Sequence, residues 1–272
     1  MTGGQSGTIL TSPEGTTWTE RTSGISEFFY GFTYGNGLFV TGGQSGTILT
    51  SPEGTTWTSR TSGTTENLTG VTYGNSTFVT VGWNGTILTS PDGTTWTSRT
   101  SGTTNDLWGV TYGNGLFVTV GLNGTLLTSS DGTSWDNGTS GTSLSLSGVN
   151  YGNGIFVMVG EWGTLLTSSD GTSWDNRTSG TSENLNGFTY GNGLFVTVGE
   201  SGTILTSPEG TTWTERTSGA PAPGTLFGVT YGNGLFVTVG SFGTILTSTD
   251  GTTWTSSSSG TSKLLHGVTY SQ

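Results

Sequence analysis

The chain reads as an all-β protein, a seven-bladed β-propeller of four-stranded antiparallel blades. Three observations predict this. First, a box reading S-P-D-G-T-T-W at Ser90–Trp96 recurs with small changes at Ser12–Trp18, Ser51–Trp57, Ser129–Trp135, Ser168–Trp174, Ser207–Trp213 and Ser248–Trp254. Second, a turn glycine recurs at Gly7, Gly46, Gly85, Gly124, Gly163, Gly202 and Gly243, spaced 39 residues five times and then 41. A period of roughly 40 residues made of short strand-like runs is that of a propeller blade. Third, the chain begins in the tail of a second strand and ends just after a first strand, so its ends rebuild one more blade.

The unit beginning at Leu107 shows the plan. Leu107 to Tyr112 reads as strand A, followed by a tight Gly113-Asn114-Gly115 hairpin turn. Leu116 to Val120 is strand B, almost continuously apolar and so covered on both faces. Gly121 to Gly124 is the B–C turn, and Thr125 to Ser129 is strand C. Ser130-Asp131-Gly132 is the C–D turn. Thr133 to Asn137, the most polar run, is the outermost strand D, and Gly138 to Leu144 leads to the next unit. No segment carries a helical period.

Within each box, proline presets φ, the acid can accept backbone N–H groups and glycine tolerates positive φ. The tryptophan then opens strand D as an expected core peg, one per unit. The box resembles the Asp-box hairpin of sialidase-like (BNR) propellers, S-x-D-x-G-x-T-W, shortened by one residue between acid and glycine. Glu14, Glu53 and Glu209 replace the aspartate in three copies. The wider repeat is similar to that of photosystem II assembly-factor and sortilin-type propellers. These resemblances imply the fold; Asp-box proteins have many functions.

Residues 1–272 are expected to form one propeller domain, closed by pairing the C-terminal strand A with N-terminal strands. The two extra residues of the long repeat fall within Ala220-Pro221-Ala222-Pro223. Closure protects strand edges, and a monomer is expected. The first residues already lie inside a repeat, so no signal peptide is read, and the composition names no compartment.

The formal charge of −11, with six lysines and arginines, excludes a basic phosphate-neutralising patch. Nucleic acid and anionic membrane surfaces are therefore unexpected partners. With no cysteine there is no disulfide or thiolate site. No motif implies a cofactor or a metal: each box offers one carboxylate, far short of the roughly six to eight oxygens that calcium takes.

Comparison among the repeats locates the candidate site. The A–B turn is Gly-Asn-Gly in five of six copies. Variation collects at the B–C turn and at the residue before the strand-A glycine, which is Tyr30, Thr69, Trp108, Ser147, Asn186, Phe227 or His266. In an up-and-down blade the B–C and D–A connections share one face of the disc. That face also carries Phe28, Phe29, Trp83, Trp162, Phe242 and the acids Glu27, Glu66, Asp106, Glu161, Glu183 and Glu200. Exposed aromatics suit sugar rings or protein hot spots. A non-enzymatic binding module for carbohydrate or a protein surface is therefore expected, with Tyr30, Trp83, Trp108, Trp162, Phe227 and Phe242 as its ligand contacts. The alternatives are a protein-assembly scaffold, or a recently amplified or engineered ring without an evolved ligand.

Catalysis is not expected. A sialidase converges three arginines on a carboxylate, whereas Arg21, Arg60, Arg99, Arg177 and Arg216 share one repeat position and are spread around the rim. They are expected to be solvated or paired with strand-D acids such as Glu20 and Glu215. His266 is the only histidine. A glycosidase-like carboxylate pair between Glu161 and Glu200 is a minor alternative.

Overall fold

The computed structural model describes residues 1–219 and 224–271, so the Ala220–Pro223 insertion lies outside the described residues. Among the described residues the strands form seven four-stranded antiparallel sheets. The representative blade consists of strand A, Leu107–Gly113, strand B, Leu116–Gly121, strand C, Leu126–Ser129, and strand D, Asp136–Asn137. They pair in that order, A innermost. The closing blade runs Leu265–Val268, Thr2–Gly4, Ile9–Thr11, Thr19–Arg21. Its innermost strand comes from the far end of the chain, with Thr2 opposite Val268. The backbone groups of Met1 and Thr269 extend this ladder by donating to each other's carbonyls at 2.8 and 2.9 Å.

The core lies between blades rather than within one. Strand B is buried on both faces because each blade packs on two neighbours. Phe117 is fully buried in a cluster that joins Val79, Val81 and Ile87 of the preceding blade to Leu107, Val110 and Leu127 of its own. Phe78, Phe156, Phe195 and Phe236 repeat this position, each with no exposed surface. The tryptophans are not the central pegs. Trp254 is 5% exposed, but the other six box tryptophans are half-buried and lean on the core from its edge. Five of the seven donate the indole N–H to the box glycine carbonyl, as Trp135 does to Gly132 at 3.0 Å.

Strand D begins later than Thr133. Asp131 Oδ1 accepts the backbone N–H groups of Thr133 and Ser134 at 2.7 and 3.0 Å, which removes both from the ladder. Ser129 Oγ accepts the N–H of Gly132 at 2.8 Å, and all seven box serines do the same. The box is thus a self-contained hydrogen-bonded turn. Asp92, Asp170 and Asp250 repeat the double acceptance. Glu14 and Glu209, one methylene longer, each accept a single backbone N–H.

The hydroxyls of Thr94 and Thr133, ahead of the backbone N–H groups, hold Asp92 and Asp131 well below the usual carboxylate range, and backbone N–H donation chiefly does the same for Asp170 and Asp250. A folded-state pKa depressed below the unfolded value gives stability that is present above about pH 4 and lost as pH falls further. The unfolding midpoint is therefore expected to drop on the acid side. Replacing Asp92, Asp131, Asp170 and Asp250 together by asparagine, which keeps the acceptor oxygen, is expected to flatten that limb in a thermal melt series between about pH 5 and pH 2.

The arginines make a different set of bonds from the one read in the sequence. Arg21, Arg60, Arg99, Arg177 and Arg216 each donate Nε–H to a strand-C threonine ten residues earlier, at 2.7–2.9 Å. Neither Glu20 nor Glu215 pairs with them, because adjacent residues on a strand point to opposite faces. Asp175, two residues before Arg177, shares its face and forms the one arginine ion pair among the described residues, at 3.0 Å.

Candidate functional site

Strand A carries a bulge in every blade. Leu107 pairs with Gly121 and Gly109 with Val120, so Trp108 is an extra residue outside the ladder. The same shift isolates Tyr30, Thr69, Ser147, Asn186, Phe227 and His266. A bulge frees one residue from pairing and re-aims its side chain. Here it delivers seven diversified residues to the mouth of the central channel. The glycine that follows each one makes this possible. A Cβ on Gly228 would lie 2.6 Å from the carbonyl oxygen of His266, and one on Gly187 equally close to that of Phe227. Only glycine lets the inner strands approach this closely.

The seven residues, together with Trp83 from a B–C turn, line one cavity of about 260 Å³. Around the ring the order is Tyr30, Thr69, Trp108, Ser147, Asn186, Phe227, His266. Phe227, His266 and Tyr30 therefore form a continuous aromatic arc. His266 stacks on Phe227 with ring centres 5.1 Å apart and meets Tyr30 edge-on at 5.5 Å. Trp108 stands three blades from both Phe227 and His266, across the opening.

Three of the polar side chains in the ring are already engaged. Thr69 Oγ1 donates to the Leu107 carbonyl at 2.6 Å, and Asn186 Nδ2 to the Leu226 carbonyl at 2.9 Å. His266 Nδ1 lies 2.9 Å from the Tyr30 carbonyl. A carbonyl only accepts, which fixes the proton on Nδ1. Burial among aromatic rings pushes the imidazole below its ordinary pKa, so it is neutral at pH 7. Each of these bonds ties one blade to the next. The mouth is consequently an uncharged opening lined chiefly by aromatic rings, with part of its hydrogen-bonding capacity spent on its own construction.

The six sequence-read contacts divide. Tyr30, Trp83, Trp108 and Phe227 come together at the mouth. Trp162 and Phe242 do not; they stand on B–C turns, 70% and 79% exposed. Thr69, Ser147, Asn186 and His266 complete the ring. The signal for them was in the sequence: a glycine inside a strand, in phase in all seven copies, marks a bulge or a close backbone approach.

The fold has known counterparts. No family model and no curated protein matches the chain. Among solved structures, YCF48 bound to D1 peptide superposes with a TM-score of 0.73 at 17% identity, covering 90% of this chain and 86% of that one. YCF48 from Cyanidioschyzon merolae gives 0.67 at 16% identity, covering 87% of each chain. The computationally designed Ika8 protein gives 0.70 at 13% identity, covering 100% of this chain and 90% of that one. The chain shares its fold with YCF48.

Many of the other variable residues are staples. Asn67, Asp106 and Asn184 each accept the middle N–H of the preceding blade's B–C turn, from Ser45, Asn84 and Trp162 at 2.9–3.0 Å. Glu161 Oε2 accepts the N–H of Ser145 at 3.1 Å, and Glu200 Oε1 accepts the side-chain amide of Asn184 at 3.1 Å. Each of the two glutamates read as a carboxylate pair thus has an oxygen committed to structure.

Proposed function

We propose that the chain is a non-enzymatic binding module that takes a protein segment at the mouth of its central channel. The segment would place an apolar side chain between Trp108 and the Phe227–His266 stack. The convergence of seven diversified bulge residues on one opening carries this reading, set against the near-uniform A–B turns of the other face. A cavity of about 260 Å³ is smaller than the roughly 300–1,000 Å³ of drug-sized sites and suits a large side chain. A protein ligand is favoured because the opening is lined chiefly by aromatic rings, which suit an apolar side chain, and the donors of Thr69, Asn186 and His266 are engaged. YCF48, of the same fold, has been captured with a peptide, so this scaffold admits that ligand class.

Selection from a displayed random peptide library tests the proposal. Binders are expected to share an apolar anchor residue. Trp108→Ala is expected to weaken them by at least about tenfold, the effect of an interface hot spot. Circular dichroism checks that the variant folds. Peptides that bind parent and variant equally would overturn the reading. So would binding on a glycan array with no peptide selected, or silence in both screens, which would leave a ring without an evolved ligand.

A further inference from the structure

The bonds that tie the blades together at the mouth also fix which atoms are left for a ligand. Asn186 spends Nδ2 on the Leu226 carbonyl, and His266 spends its Nδ1–H on the Tyr30 carbonyl. A carbonyl oxygen only accepts, so neither group can be turned round. What remains of the amide is Oδ1, and what remains of the imidazole is the bare Nε2. Both are acceptors, and they stand on either side of Phe227 in the ring order.

Neither acceptor has a protein donor among the described residues, and neither is sealed from water. Both side chains line the cavity, so the water they meet is that of the mouth. The other polar groups of the opening are less demanding. The hydroxyls of Tyr30 and Ser147 rotate to donate or accept, and the indoles of Trp83 and Trp108 only donate. A side chain that fills the mouth without a donor covers Nε2 and Oδ1 and replaces none of their hydrogen bonds to water, which costs affinity.

We propose that the anchor side chain taken at the mouth is a tyrosine, whose ring packs between Trp108 and the Phe227–His266 stack and whose hydroxyl donates to His266 Nε2. This rests on the mouth reading above; it names the anchor and makes His266 the residue that selects it. Tyrosine joins a large apolar ring to a donor at its far end. Phenylalanine and leucine bring no donor. Tryptophan brings one, but on a double ring that asks more of a cavity of about 260 Å³. Lysine and arginine bring a charge to an opening lined by no carboxylate.

His266 is the only histidine, so its ring nitrogens are followed by NMR without ambiguity. The whole chain, isotopically labelled at the histidine nitrogens, is titrated with N-acetyl-tyrosinamide and separately with N-acetyl-phenylalaninamide. Before any addition, a proton is expected on Nδ1 and none on Nε2. The tyrosine probe is expected to move the Nε2 signal saturably, in the direction of a nitrogen that accepts a hydrogen bond. The indole signal of Trp108, assigned with Trp108→Phe, should move with it. The phenylalanine probe is expected to bind at least about tenfold more weakly. His266→Phe keeps a ring on Phe227 and removes the acceptor, and it should bring the two probes level at the Trp108 signal. That variant also loses the bond to Tyr30, so the titrations of the parent decide if it does not fold. A proton on Nε2, an Nε2 signal that the tyrosine probe leaves still, or equal affinity for the two probes would overturn the proposal. If the Trp108 signal moves in those cases, the mouth reading stands and only the tyrosine anchor falls. If both probes leave Trp108 still, the tyrosine anchor falls and the peptide selection alone decides on the mouth.

Discussion

Gly124→Ala is expected to destabilise the chain by roughly 3–5 kcal/mol, while Gly115→Ala costs only about 1 kcal/mol. Both glycines have positive φ, 70° at Gly124 and 78° at Gly115, so an alanine at either carries a similar backbone strain. Their surroundings separate them. A Cβ at Gly115 meets nothing within 4 Å, because the A–B turn projects into solvent. A Cβ at Gly124 would overlap the carbonyl oxygen of Thr142 and crowd Ser140 Oγ at 3.1 Å. Ser140 Oγ itself donates to the Gly124 carbonyl at 2.7 Å, so the loop that would have to yield is bonded to the same residue. A carbonyl in a hydrogen-bonded loop cannot rotate aside as a side chain can. Urea denaturation of the two variants beside the parent measures the difference. Equal midpoints would mean that the B–C turn relaxes freely and that its constancy reflects φ alone.

That contrast also shows what the sequence could and could not reveal. Period and turn chemistry are written in residue types, so blade count, strand order and closure by Leu265–Val268 against Thr2–Gly4 were legible. The diversified face was legible too, because topology alone puts B–C and D–A connections together. Proximity between blades was not. That Glu161 and Glu200 act as staples depends on distances to Ser145 and Asn184, which no repeat alignment displays. The bulge at Trp108 was half visible. Gly109 announced an irregularity, but only the pairing of Leu107 with Gly121 and of Gly109 with Val120 shows which residue is released. For the arginines, pairing with a strand-D acid holds at Arg177 with Asp175, but Glu20 and Glu215 were the wrong partners for a simpler reason: strand alternation puts Glu20 and Arg21 on opposite faces, and that rule was available from the sequence.

The sequence also suggested the wrong peg, and the correction has a measurable consequence. Tryptophan is the largest side chain and recurs once per box, yet Phe117 fills the space between blades. It is wholly buried, 4.6 Å from Tyr112 and 6.4 Å from Trp135 between ring centres, and it touches the apolar residues of two blades at once. Phe117→Ala is expected to cost about 3–5 kcal/mol, the usual range for emptying a buried phenylalanine site. The walls here are two sheets pinned by ladders on both sides and cannot collapse into the void. Trp135→Ala removes more atoms but from a half-buried position, where water can replace part of the lost contact, and about 1–3 kcal/mol is expected. Denaturant midpoints therefore should fall further for Phe117→Ala than for Trp135→Ala. Trp254→Ala, at the one box tryptophan that is fully packed, should fall between them or match the phenylalanine. If Trp135→Ala proved the more damaging, the box would be the organising core contact after all, and the interface phenylalanine would be a filler between blades already held by their turns.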